Sequence, residues 1–171
     1  MNRVERLIDK LLTEQDDTDD TKEDFNKYGI KELRDGLTIE EIKTKYSWLL
    51  KARMKDAVIG ESQGYLVWYN GTWKGGIWLD GTWKSGAWYD GYWANGIWDN
   101  GTWIDGIWDN GIWESGTWRN GIWRGGTWKN GIWMNGLWKT GIWHNGIWKG
   151  GDWRGGKDGN GLYHKESPDK W

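Results

Sequence analysis

The polar residues that could do chemistry are few and scattered. His144 follows Trp143, and His164 lies near the end of the chain. Neither has a second histidine or a carboxylate at metal or triad spacing. The chain has no cysteine, which removes disulfides and thiolate metal sites. The densest oxygen donors are Asp16, Asp17, Asp19, Asp20, Glu23 and Asp24. A calcium loop would need a glycine at its turn and a closing glutamate at the right offset, and the run has neither. A block of like charges without an apolar anchor reads as a solvated linker over residues 15–24. The glycines are too regular for a phosphate loop, and no Gly-Lys-Ser/Thr closes one. We therefore expect no catalytic residue, no cofactor and no metal, and hence no enzyme. The remaining candidate chemistry belongs to the indoles. They could stack on sugars or bases, or they could fill a core.

The indoles are placed by a repeat. The chain holds 20 Trp and 28 Gly, and from Trp68 to Trp153 a Trp falls on every fifth residue. Each unit reads Gly, usually Thr or Ile, Trp, a variable residue, then most often Asn, Asp, Gly or Ser. A fixed short period marks a repeat architecture. A helix cannot hold it, because glycine in every unit would cost about 1 kcal/mol per copy and the Trp would spiral round the axis. An extended stretch of about three residues and a two-residue turn fits instead, since Asn-Gly and Asp-Gly are strong turn signals. The expected core is Trp73, Trp78, Trp83, Trp88, Trp93, Trp98, Trp103, Trp108, Trp113, Trp118, Trp123, Trp128, Trp133, Trp138, Trp143 and Trp148. Buried indoles need acceptors, and a column of backbone carbonyls inside the coil could supply them.

Two architectures follow. In one, each unit is one side of a parallel coil, with Trp and the Gly two residues before it pointing inward and the residue before Gly turning at positive φ. This resembles the pentapeptide-repeat proteins, whose units pair a central Leu or Phe with a small residue two positions earlier. That resemblance implies a β-solenoid with four sides. In the other, Asn-Gly turns build an antiparallel meander. Gly91-Tyr92-Trp93-Ala94-Asn95-Gly96 resembles the heart of the MORN repeat, which builds β-hairpins. The solenoid is favoured because it buries the Trp within one chain.

Around the array we expect a helical N-terminal region over 1–62, the array over 63–157 and a polar C-terminal tail over 158–171. Val4, Leu7, Ile8, Leu11 and Leu12 fall at helical spacing. A short helix is expected around Ile30 and Leu33, stopped by Gly36. Thr38 and Glu41 form a capping box opening a helix from Ile39 to Val58. The segment from Ile30 to Val58 also faintly resembles a helix-turn-helix. Leu12-Thr13-Glu14 resembles the capsid-targeting leader of contractile-tailed bacteriophages, which implies cleavage after Glu14 and a virion or head-associated protein. A net charge of −2 gives no reason to expect nucleic acid or an anionic membrane as partner. No apolar run is long enough for a signal peptide or a membrane span, which points to synthesis in the cytoplasm.

After each Trp the charge changes along the array. Asp99, Asp109 and Glu114 give way to Arg119, Arg124, Lys129, Lys139, Lys149 and Arg154. This polarity could keep a Trp-rich rod soluble, or it could guide self-association or a protein partner. The sequence thus describes a mainly β, non-enzymatic structural or interaction protein: a rigid repeat rod with a helical docking segment. The alternative is a module whose repeat surface binds protein, carbohydrate or nucleic acid.

Overall fold

The computed structural model describes residues 25–171. The expected helix over residues 3–12, the acidic linker and the Glu14 processing site lie outside the described residues. What is described is a parallel β-solenoid of about 6 turns, closed by added elements at both ends.

Each side of the coil is one repeat unit. Sixteen two-residue strands, β4 (Ile77–Trp78) through β19 (Asp152–Trp153), each consist of a Trp and the residue before it. Pairing is parallel with Trp opposite Trp, as in Trp93, Trp108 and Trp123. Partners are 15 residues apart, so a coil has three sides rather than the four expected, and the antiparallel meander is excluded. Two backbone bonds per unit hold adjacent coils. Ile107 N–H donates to the Gly91 carbonyl and Asp109 N–H to the Trp93 carbonyl, both at 2.8 Å.

Three sides follow from how the interior fills. The sequence reading placed two inward side chains in each unit, Trp and Gly. In the structure the glycine is a corner, and an added Cβ would point along the rod at the previous coil. Only the indole faces inward. Successive indoles meet edge to face, with centroids 5.9 Å apart at 72° for Trp108 and Trp113. Three such rings close the interior at the density a core requires, whereas one inward side chain per side would leave a four-sided coil underfilled. Indoles one coil apart stack face to face, 4.9 Å apart at 5° for Trp108 and Trp123.

The corner also differs from expectation. Positive φ falls on the glycine, at 122° for Gly106, and no Asn, Asp or Ser before an array glycine has positive φ. The Asn or Asp there acts through its side chain. Asp105 Oδ1 accepts the Gly106 N–H at 2.7 Å, which satisfies an amide that the ladder leaves free.

The N-terminal end corrects the helical reading. Ile30–Leu33 is a strand, β1. The Thr38–Glu41 capping box is present, but it opens only α1, Ile39–Lys45. A 3-10 turn, Leu49–Lys51, follows. Arg53–Ser62 is strand β2, parallel to β1 and antiparallel to β3 (Tyr65–Gly75). Within residues 30–58 no second α-helix is therefore present for a helix-turn-helix. Residues Met54 to Val58 keep apolar spacing compatible with a helix, but they gain ladder bonds on both edges only as a strand. Tyr46 ends α1 with its hydroxyl in reach of the Glu61 carboxylate at 2.8 Å and the Gly64 carbonyl at 3.1 Å.

β3 bends at Asn70-Gly71, so Val67-Trp68 starts one side and Thr72-Trp73 the next. β2 covers the outer edge of β3. Trp48 covers the third side by standing edge-on to Trp78, 5.3 Å away at 77°.

Candidate interaction surface

The sixteen Trp proposed as core are all interior. Trp73 through Trp138 have no exposed surface, Trp143 is 3% exposed and Trp148 9%. The array indoles therefore cannot serve as an external stacking platform. Part of the expected carbonyl column is formed. The Trp118, Trp123, Trp128 and Trp133 indole N–H groups donate to the carbonyls of Asn135, Thr140, Asn145 and Gly150, at 3.0–3.1 Å. Each acceptor is the corner residue of the next coil. Eleven other buried indole N–H groups, Trp68 through Trp113 and Trp138, have no partner in hydrogen-bond geometry.

With the interior fixed, variation lies on the outside, and the 15-residue coil sorts it into ranks. Lys84, Asp99, Glu114 and Lys129 form one rank after the Trp. Within it Lys84 meets Asp99 at 3.2 Å and Lys129 meets Glu114 at 2.8 Å. On a second rank Arg124 reaches Asp109 at 3.5 Å. The Arg124 guanidinium also lies 5.9 Å from the centre of the Tyr92 ring. The hydrogen bond to Asp109 raises the Tyr92 hydroxyl pKa. The acidic middle seen along the sequence is thus neutralised by neighbouring coils. Each pair is about half exposed and contributes about 0–1 kcal/mol. The exposed Arg119, Lys139 and Lys149 form no ion pair among the described residues.

The residue before Trp gives each side its own character. One side carries Thr72, Ala87, Thr102 and Thr117 in register and changes to Ile132 and Ile147 towards the C-terminal end. Another carries Ile77, Tyr92, Ile107, Ile122 and Leu137. These side chains stand about 4.8 Å apart along the rod. The third side alternates less regularly, with Thr82, Ile97, Ile112 and Thr127.

The far end is also covered, by a stretch the sequence reading took for a polar tail. β20 (Gly156–Asp158) continues the ladder, and β21 (Tyr163–His164) folds back on it. Asp158 organises this turn, accepting the Asn160 and Leu162 N–H groups at 2.9 Å each and lying 3.1 Å from His164 Nε2. These contacts, the His164 hydrogen bond foremost, hold the Asp158 carboxyl below its usual range. His164 stacks on Trp171 at 4.0 Å, and Trp171 stands edge-on to Trp153. The Trp153 N–H donates to the His164 carbonyl at 3.2 Å. Trp48 and Trp171 are the closing residues that sequence reasoning missed. Both lie outside the stretch with the five-residue period, and nothing local marks either as a cover.

His144 is exposed and lines a cleft with Asp158 and Trp171, the two residues that His164 contacts. Among the described residues no cluster of His, Asp and Glu has the geometry of a metal site, and no helix is long and apolar enough to cross a membrane. No family model, no curated protein and no solved structure matches this chain.

Proposed function

We propose that this is a non-enzymatic structural and interaction protein, a rigid rod that engages a protein partner or a second copy through its sides. The observation that carries this reading is closure of both ends. Trp48 and β2 cover the first coil, and Trp171 and the β20–β21 hairpin cover the last. End-to-end stacking is blocked, so recognition falls to the outward ranks. Those ranks offer the aliphatic row Ile107, Ile122 and Leu137 and the unpaired cations Arg119, Lys139 and Lys149. An acidic, partly apolar protein surface matches that combination. Reversing charge at Arg119, Lys139 and Lys149 together should abolish salt-sensitive association, while far-UV and Trp spectra stay unchanged. Association that survives the reversal would overturn the lateral reading.

The sequence resemblance extends this proposal to a bacteriophage virion or head, with residues 1–14 as a docking leader removed after Glu14. A protein starting at Gln15 would keep the array spectra and lose partner association. Mass spectrometry of the mature protein in virions should find Gln15 at its N terminus, and an intact Met1 would exclude processing.

A further inference from the structure

On one side of the coil the indole column stops before the ladder does. Trp113, Trp128 and Trp143 stand in register there, and the next position of that rank is Asp158. The residue after it, Gly159, falls beside His144, and an added Cβ would lie 2.7 Å from His144 Nδ1. Gly159 does not have positive φ, so what glycine supplies here is room. The space left is a cleft of about 420 Å³ between the last coil and the C-terminal segment. That volume is within the range of small-molecule sites.

The cleft combines an exposed indole with neutral polar side chains. Trp171 lines it and is 42% exposed, although His164 stacks on the ring at 4.0 Å and Trp153 stands edge-on. The Trp171 Nε1–H is already used, donating to the Glu166 carbonyl at 2.7 Å, so the ring offers the cleft an apolar surface. Around it, the side chains of His144, Asn145 and Asn160 are exposed and make no hydrogen bond among the described residues. Each of the three can both donate and accept.

Charge narrows the ligand class. No Lys or Arg lines the cleft, so nothing there balances a phosphate or a carboxylate. Asp158 is the one acidic residue of the lining. The Asn160 and Leu162 N–H groups and His164 Nε2 already take three of its roughly four acceptor positions. A cation would therefore meet a carboxylate that is already engaged. What remains is an apolar ring face bordered by groups that donate and accept. A sugar ring has the complementary build, with C–H groups on its faces and hydroxyls around its edge.

We propose that the C-terminal cleft binds a neutral saccharide, with one pyranose ring on the Trp171 indole and its hydroxyls bonded to His144, Asn145 and Asn160. The site is separate from the lateral ranks, so it stands or falls independently of association through the sides of the rod.

The test titrates the full chain with cellotriose, maltotriose and triacetylchitotriose, and with choline and inorganic phosphate for comparison. Saturation-transfer NMR should show contact with the ring C–H protons of at least one trisaccharide. The Trp171 indole N–H resonance should shift with it, while those of Trp103 and Trp118 stay in place. His144→Ala/Asn160→Ala should weaken that binding at least tenfold and leave the Trp spectra of the array unchanged, because neither side chain holds the closing turn. Gly159→Val, which fills the cleft, and Trp171→Ala should each abolish it. If Trp171→Ala also disturbs the Trp153 indole resonance, the His144/Asn160 variant decides alone. Failure of all three trisaccharides to bind, binding unchanged in that variant, or tighter binding of choline or phosphate would overturn the proposal.

Discussion

Gly106 and Gly91 occupy the same corner on adjacent coils, and a Cβ on Gly106 would lie 2.5 Å from the Gly91 carbonyl oxygen. That oxygen accepts the Ile107 N–H, so it cannot move without breaking the ladder. The backbone at Gly106 has φ 122°, which a β-branched residue resists. Gly106→Val should therefore lose about 3 kcal/mol or more, from strain and overpacking together. Ile107 faces outward and is half-buried, so Ile107→Thr should lose about 1 kcal/mol, the scale of a partly buried methyl group. Denaturant midpoints of the two variants check this, and equal losses would contradict the corner geometry.

Trp118 is stacked between Trp103 and Trp133, and its N–H reaches the Asn135 carbonyl. Trp118→Ala opens a cavity and should cost about 3–5 kcal/mol, the range for large buried aromatics. Coils touch only their neighbours, so the damage should be local. Hydrogen exchange should accelerate around Trp103 and Trp133 and stay slow near Trp73. Uniform loosening would contradict a chain of nearest-neighbour interfaces.

The C-terminal closure should be acid-sensitive. The Asp158 carboxyl is held below its ordinary value of 3.8, so the folded state favours the ionised form. Its contribution is complete above that ordinary value and is lost as pH falls below it, through the folded-state pKa. Exchange of the Asn160 and Leu162 amides should rise over that acid window, and Asp158→Asn should abolish the dependence. A pH-independent hairpin would refute the role given to Asp158.

Along the rank Lys84, Asp99, Glu114 and Lys129, the ion pairs are exposed and screened. Glu114→Gln should change stability by less than about 1 kcal/mol, and added salt should shrink even that difference. A loss above about 2 kcal/mol would mean that these pairs hold adjacent coils together, which their geometry does not suggest.

Much was legible from the chain by itself. The five-residue spacing determined strand units with Trp inside, because only an extended side with a glycine turn tolerates that period. Thr38 and Glu41 determined a helix start, since a capping box is made from residues three apart. What the sequence left open concerns contacts made through space. Whether three or four sides close depends on how indoles meet, and edge-to-face packing of one ring per side favours three. Whether Arg53–Ser62 is helix or strand depends on β1 and β3, which offer it two ladders from either side in sequence. The last decision of this kind is the C-terminal closure. Nothing local marks His164 and Trp171 as a cover, and they become one only because the sixth coil presents Trp153 beneath them, where a bare indole and its N–H would otherwise meet water.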